Sequence, residues 1–409
     1  MTPLEAGARI YKKSKLSHCR FARSLSSLTK SEYNHFRSRA RIDQVHLTSE
    51  GVMTHTGFFL KCALTLAIFF SSVCGAVAQN SYTVTPIVDN TQDSFLINPW
   101  GLSRPAKSTS SDNYWWTSDN ATGYTTLYFA NKLGTQSLAG LVISVPSATG
   151  TGTGTPTGTA YNAAVGPGPG ADNFAFATLD GIIANWNAGS RPNPKGTGCY
   201  ECHVTTTTVF VNNSSKGASY TGLAEATNAT TKAPAYYAAN NKGSVEAYDG
   251  ATFAPVTLAG KFSDRLIPPT YKAYGIQSIG SKIWVTFFDG ISGGYVDAFD
   301  TNGNLRQRLA TGSFDEPWGI AMAPASFGGF SNMLLVANTT SGMIAAYSPT
   351  TGAFQGYLED STGTVIVIPG IWAISFGDGN KVNGPTTTLY YTAGGNAYNT
   401  GVFGAITAN

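Results

Sequence analysis

The chain has 409 residues, only 12% of them charged and 12% aromatic, with 46 Gly and 19 Pro. Soluble domains usually carry about 25% charged residues. This aromatic-rich, charge-poor mix excludes a disordered chain and a coiled coil or helical bundle, which needs abundant Glu, Lys, Arg and Leu. The net charge of +3 is unevenly placed. Residues 1–52 hold ten Lys/Arg against four acids, Lys61 adds one cation, and residues 79–409 are left at −4. That body offers no cationic stripe for phosphates, so nucleic acid is not an expected partner.

Residues 53–78 have the three parts of a secretory signal. Met53 opens a short polar stretch with His55 and Lys61, an apolar run of 12 residues spans Cys62 to Val73, and Ala76-Val77-Ala78 precede Gln79. Such a run is too short for a membrane span of about 20 residues but fits a signal's hydrophobic region. Residues 1–52 then read as an over-extended gene start, disordered and without a fold of its own. The expected mature chain, 79–409, is exported: secreted, periplasmic or at the cell surface, with no membrane span.

The mature chain repeats a two-part pattern. Its first part is a short strand opened by a Gly step: Pro99-Trp100-Gly101-Leu102, Pro156-Thr157-Gly158-Thr159, Tyr220-Thr221-Gly222-Leu223, Ala273-Tyr274-Gly275-Ile276 and Pro317-Trp318-Gly319-Ile320, with Ile371-Trp372-Ala373-Ile374 as a sixth copy. The second part is a hydrophobic strand, a polar turn and a strand ending in an aromatic, as in Leu335-Val336-Ala337-Asn338 followed by Met343-Ile344-Ala345-Ala346-Tyr347. Each unit predicts about four short strands joined by Gly/Asn/Asp turns. A single unit cannot bury both faces of its sheet, so six must pack in a ring: an all-β, six-bladed β-propeller. The Gly pivots suit the crowded start of each inner strand, where a side chain would clash. The Thr/Gly-rich run from Ser147 to Thr159 reads as a loop between the first two blades.

Several stretches resemble a known family: Asn98-Pro99-Trp100-Gly101-Leu102, Phe299-Asp300-Thr301-Asn302-Gly303-Asn304-Leu305, Pro317-Trp318-Gly319-Ile320-Ala321-Met322-Ala323-Pro324, and Trp372-Ala373-Ile374-Ser375-Phe376-Gly377. The family is one of exported bacterial proteins without assigned function, similar to NHL-type propellers, some members carrying a PEP-CTERM sorting tail. The resemblance covers nearly all of residues 82–406. It implies a propeller and brings no catalytic residues.

One motif is chemically sharp. Cys199-Tyr200-Glu201-Cys202-His203 has the C-x-x-C-H spacing at which two thiols form thioethers to haem vinyl groups and the adjacent His ligates iron. A disulfide or free dithiol in a surface loop is the competing reading, favoured by an oxidising compartment. A distal ligand would be Met322, Met333 or Met343, or water. Zinc would need a fourth ligand beyond two Cys and one His. For a metal-dependent hydrolase, Asp119, Asp180, Asp289, Asp300 and Asp315 are candidates, although Asp is an ordinary turn residue. The pivot residues Trp100, Tyr274, Trp318 and Trp372 are placed at one end of the channel. There they either fill blade interfaces, the commoner role, or stack on a sugar or peptide. Asn120, Asn212, Asn213, Asn228 and Asn338 sit in N-x-Ser/Thr sequons. The leading expectation is a monomeric binding module without catalytic residues or resident cofactor, its partner a protein, peptide or glycan. A c-type haem protein and a metal-dependent hydrolase are the alternatives.

Overall fold

A computed structural model describes residues 80–105, 114–130, 138–161, 173–187 and 204–409. Short strands with Gly, Asn and Asp at their ends give a chain of meanders. After β1 (Tyr82–Asp89), the first sheet runs through β2 (Pro99–Ser103), β3 (Trp115–Asp119), β4 (Tyr124–Tyr128) and β5 (Leu138–Ser144). The second begins with β6 (Pro156–Tyr161), β7 (Asn173–Thr178) and β8 (Ile182–Asn187). The chain then lays β9 (Val204–Thr206) parallel to β5 before β10 (Thr208–Asn212) completes the second sheet. The third sheet has three strands, β11 (Tyr220–Thr227), β12 (Pro234–Asn240) and β13 (Val245–Asp249). Only a single bridge from Tyr248 to Pro255 stands where a fourth strand would lie.

The fourth sheet is β14 (Lys272–Ile279), β15 (Lys282–Phe288), β16 (Tyr295–Asp300) and β17 (Leu305–Arg308). The fifth is β18 (Pro317–Met322), β19 (Leu334–Asn338), β20 (Ile344–Tyr347) and β21 (Phe354–Tyr357). In the last, β22 (Ile371–Phe376), β23 (Thr388–Ala393) and β24 (Val402–Ala408) receive β1 as their outer strand. The first strands β2, β6, β11, β14, β18 and β22 touch one another in that order, and β22 touches β2. The six sheets therefore close into a ring, with β1 as the clasp: the architecture is a six-bladed β-propeller.

Strand periodicity explains the packing. Successive side chains point to opposite faces, so each blade feeds two seams. On β7, Phe174 and Phe176 pack with Trp116 and Ile143 of the first blade, whereas Ala175 and Ala177 pack with Leu223 and Tyr236 of the third. Six such clusters fill the six seams. At the clasp, Tyr82 is buried, its hydroxyl donating to the Phe327 carbonyl and accepting from the Phe330 N–H, both at 3.0 Å.

All six inner strands bulge at the pivot, where register is lost between Pro99 and Leu102, Pro156 and Thr159, Tyr220 and Gly222, Ala273 and Ile276, Pro317 and Ile320, and Ile371 and Ile374. The freed N–H groups find side chains: Gly275 N–H donates to Thr286 Oγ1 at 2.7 Å and Ala373 N–H to Thr392 Oγ1 at 3.1 Å. A Cβ on Gly275 or Gly319 would fall on the backbone carbonyl of Trp318 or Trp372 in the next blade. The run Ser147–Thr159 corrects the expectation of a plain loop. Its end, from Pro156, belongs to β6, because Pro156 and the β-branched Thr159 pair with Thr178 and Phe176 of β7 on either side of the bulge. Among the described residues no helix is long and apolar enough to cross a membrane.

Candidate functional site at the propeller axis

The bulge turns one pivot side chain per blade toward the axis. Trp100 of the first blade and Tyr274 of the fourth lie on opposite sides of a six-membered ring, yet their ring centroids are 6.2 Å apart. Trp100 stacks on Trp372 at 3.8 Å, and Trp318 meets Trp372 edge-on at 6.0 Å. The structure thus brings Trp100, Tyr274, Trp318 and Trp372 together as one buried plug. Blades two and three place the small Thr157 and Thr221 at the same position. Into the room they leave, Trp318 sends its indole N–H to the Thr221 carbonyl at 2.9 Å. The Trp372 indole N–H reaches Asn98 Oδ1, also at 2.9 Å.

Hydroxyls stitch neighbouring blades beneath the plug. Thr157 donates to the Tyr220 carbonyl and Thr221 to that of Tyr274, both at 2.8 Å, and Thr392 donates to the Trp100 carbonyl at 3.0 Å. Two residues beyond the pivot side chains, Leu102, Thr159, Leu223, Ile276, Ile320 and Ile374 surround a cavity of about 20 Å³, room for about one water. At this level the axis is not an open pore.

The polar chemistry lies at the rim of the plug. Tyr274 OH donates to Glu316 Oε1 and Thr340 OH to Glu316 Oε2, each at 2.7 Å. Glu316 has φ +58°, Tyr398 φ +53° and Asn98 φ +49°. Non-glycine residues rarely adopt this left-handed region, and such outliers gather at functional sites. Asn98 and Glu316 each precede a Pro-Trp-Gly pivot, and proline keeps the preceding residue out of the right-handed helical region. Tyr398 is 36% exposed and its ring lies 5.6 Å from Trp372. Its phenol is pushed up to about 12, by burial first and then by the negative charge of Glu316 and Asp315. The Tyr274 phenol is also pushed well above its ordinary range, by burial first and then by the charge of Glu316. The rim therefore sets phenol donors beside the Glu316 and Asp315 side chains.

The Asp candidates are not brought together. Asp119 is buried in the first blade and accepts hydrogen bonds from Thr117 at 2.9 Å and Thr126 at 2.7 Å. Burial raises its carboxyl well above the usual range, and the charge of nearby Asp93 adds to this. Asp180 accepts from Ala148 N–H at 2.5 Å, Asp289 from Ile291 N–H at 2.9 Å, and Asp300 from Asn302 N–H and Arg306. Asp315, beside Glu316, adds charge to the rim. Among the described residues no three His, Cys, Asp or Glu side chains converge. Cys199, Cys202 and His203 lie outside the described residues. Of the sequon asparagines, Asn120, Asn228 and Asn338 are buried, whereas Asn212 is exposed. Sequence reasoning missed Glu316 and Tyr398. The one available signal was the shared X-Pro-Trp-Gly step at Asn98 and Glu316.

Fold and site together define a six-bladed propeller with an aromatic-sealed axis. No family model matches the chain. Over 213 residues it is 27% identical to an uncharacterised protein of Acanthamoeba polyphaga mimivirus, an alignment covering 49% of this chain and 37% of that protein. The chain thus spans well under half the length of the curated relative it matches. Among solved structures, a structural-genomics protein of unknown function from Bacteroides thetaiotaomicron is 11% identical, with TM-score 0.46 over 80% of this chain and 76% of that one. A BBS1 N-terminal domain in complex with ARL6 is 12% identical, with TM-score 0.41 over 76% and 79%. The propeller assignment rests on strand order and ring closure in this chain itself.

Proposed function

We propose that the protein is an exported binding module whose partner, a peptide or glycan, docks on the rim of the axial plug. The observation carrying this reading is Tyr398: an exposed aromatic in a left-handed conformation, backed by Trp372 and neighboured by a carboxylate that Tyr274 and Thr340 hold in place. An exposed ring beside oriented polar groups is the usual make-up of a contact that combines stacking with hydrogen bonding. The apolar run before Ala76-Val77-Ala78 supports export, and the stretches quoted above support kinship with exported NHL-type propellers. Glycan and peptide arrays probed with the labelled protein and with Tyr398→Ala test it. Ligands are expected that the variant loses by at least about tenfold, since truncating an aromatic hot-spot contact costs about 2 kcal/mol or more. Ligands bound equally by both proteins would overturn it.

A second reading rests on Cys199-x-x-Cys202-His203: covalent haem attachment, with His203 on the iron. The intact mass of the protein from its native host decides it. An increase of one haem supports it, and a bare chain short of two hydrogens assigns Cys199 and Cys202 to a disulfide.

A further inference from the structure

Blade three departs from its neighbours, and the departure leaves a cleft. Beyond the single bridge at Pro255, the chain leaves the edge of β13, and Ser244 Oγ meets it again at the Lys261 carbonyl, 2.7 Å away. The resulting space of about 440 Å³ lies within the size range of small-molecule sites. Val245, Ala247, Val256 and Leu258 supply an apolar wall, and Lys216 and Glu246 supply charge.

Glu246 is held rigidly. Its Oε2 accepts from Tyr220 OH at 2.6 Å and Tyr248 OH at 2.5 Å, while Oε1 accepts from Asn240 Nδ2 at 2.8 Å. Asn213 Nδ2 lies 2.8 Å from both tyrosine oxygens and braces the cluster. Partial burial alone would push the Glu246 carboxyl above the usual range, but the Tyr220, Tyr248 and Asn240 hydrogen bonds and the charge of Lys216 outweigh it and hold the carboxyl below that range, so the group is an anion at neutral pH. Its Oε1, with one donor, retains an open acceptor position. Lys216 is exposed in the short turn Ser214–Lys216 on the same cleft, and the ion pairs among the described residues do not join it to Glu246. Two opposite charges thus border one apolar wall without forming a direct ion pair.

We infer that this cleft binds a free α-amino acid with an apolar side chain, its ammonium on Glu246 Oε1, its carboxylate on Lys216 and its side chain against Val256 and Leu258. The site is remote in sequence from the axial rim and does not depend on it.

Titration calorimetry of the full chain with L-leucine tests the inference, with N-acetyl-L-leucine and L-leucinamide as ligands lacking one charge each. The expected result is saturable binding of L-leucine, with both capped forms weaker by at least about tenfold, the loss of one charge-assisted contact. Lys216→Met, a change at an exposed turn position, weakens L-leucine by a similar factor and leaves L-leucinamide unaffected. No saturable binding up to about 10 mM, a concentration that would reveal even a very weak site, overturns the inference. So does an L-leucine affinity unchanged by Lys216→Met.

Discussion

Asp297 on β16 is almost completely buried, and its carboxyl is pushed up to about 7. Burial is the main cause, followed by the charge of Asp264 and the hydrogen bond between the two acids, against the lowering effect of Arg308. Arg308 grips Asp264 through Nε and, at 2.8 Å, through Nη2, which holds Asp264 below the usual range. The folded protein keeps a proton on Asp297 that the unfolded chain releases near 3.8. Its contribution to stability is therefore present below that value and lost as pH rises toward about 7. Asp264 acts in the opposite sense, losing its contribution as pH falls below the ordinary carboxylate range. At about 1.4 kcal/mol per tenfold change in proton affinity, the Asp297 effect has a ceiling of about 4 kcal/mol. Urea unfolding between about pH 4.5 and 8 should show the wild type losing stability relative to Asp297→Asn across that window. Parallel profiles would mean that Asp297 titrates as an ordinary carboxylate. Nothing in the spacing of Asp264, Asp297 and Arg308 marks them as a cluster. They meet because β16 pairs with β17 and the connection from the third blade folds over that pair.

The inner strands show how far a sequence can be read at the level of elements. Their Gly pivots recur visibly because one physical demand, a backbone passing too close for a Cβ, is met by Gly in five blades, while the sixth carries Ala373. Gly319→Ala should cost about 3 kcal/mol or more, at the upper end for overpacking, because the obstacle is the Trp372 backbone rather than a yielding side chain. Gly243→Ala is the control. Its Cβ would meet only Asn240 at 3.6 Å, and the expected change stays within about 0.5 kcal/mol. Equal thermal shifts for the two variants would refute the close approach of adjacent inner strands. The absent fourth strand of the third blade, the parallel β9 and the pairing of β1 with β24 were not legible. Each depends on partners distant in the chain, and a short alternating run does not specify which edge it joins. The same holds for the rim, where Tyr274, Glu316 and Tyr398 come from three blades, whereas the pivot aromatics were found through their repeat.

For the molecule as a whole, β1 closes the ring by contributing the outer strand of the last blade. Tyr82 anchors that strand by packing on Phe327 and Phe330 and through its two hydroxyl hydrogen bonds. Tyr82→Ala should destabilise by about 3–5 kcal/mol, the usual cost of deleting a buried aromatic. Thermal unfolding would show it, and a small change would mean the clasp is dispensable. All seven tryptophans are buried, so their rings serve packing first. What the axis leaves for a partner is the rim around Tyr398. The most direct measurement is hydroxyl-radical footprinting with mass spectrometry, with and without a glycan or peptide retained on the arrays. Binding should lower oxidation of Tyr398 while the exposed Phe210 and Phe354, on the outer strands β10 and β21, react as before. Undiminished oxidation of Tyr398 with protection elsewhere would contradict it.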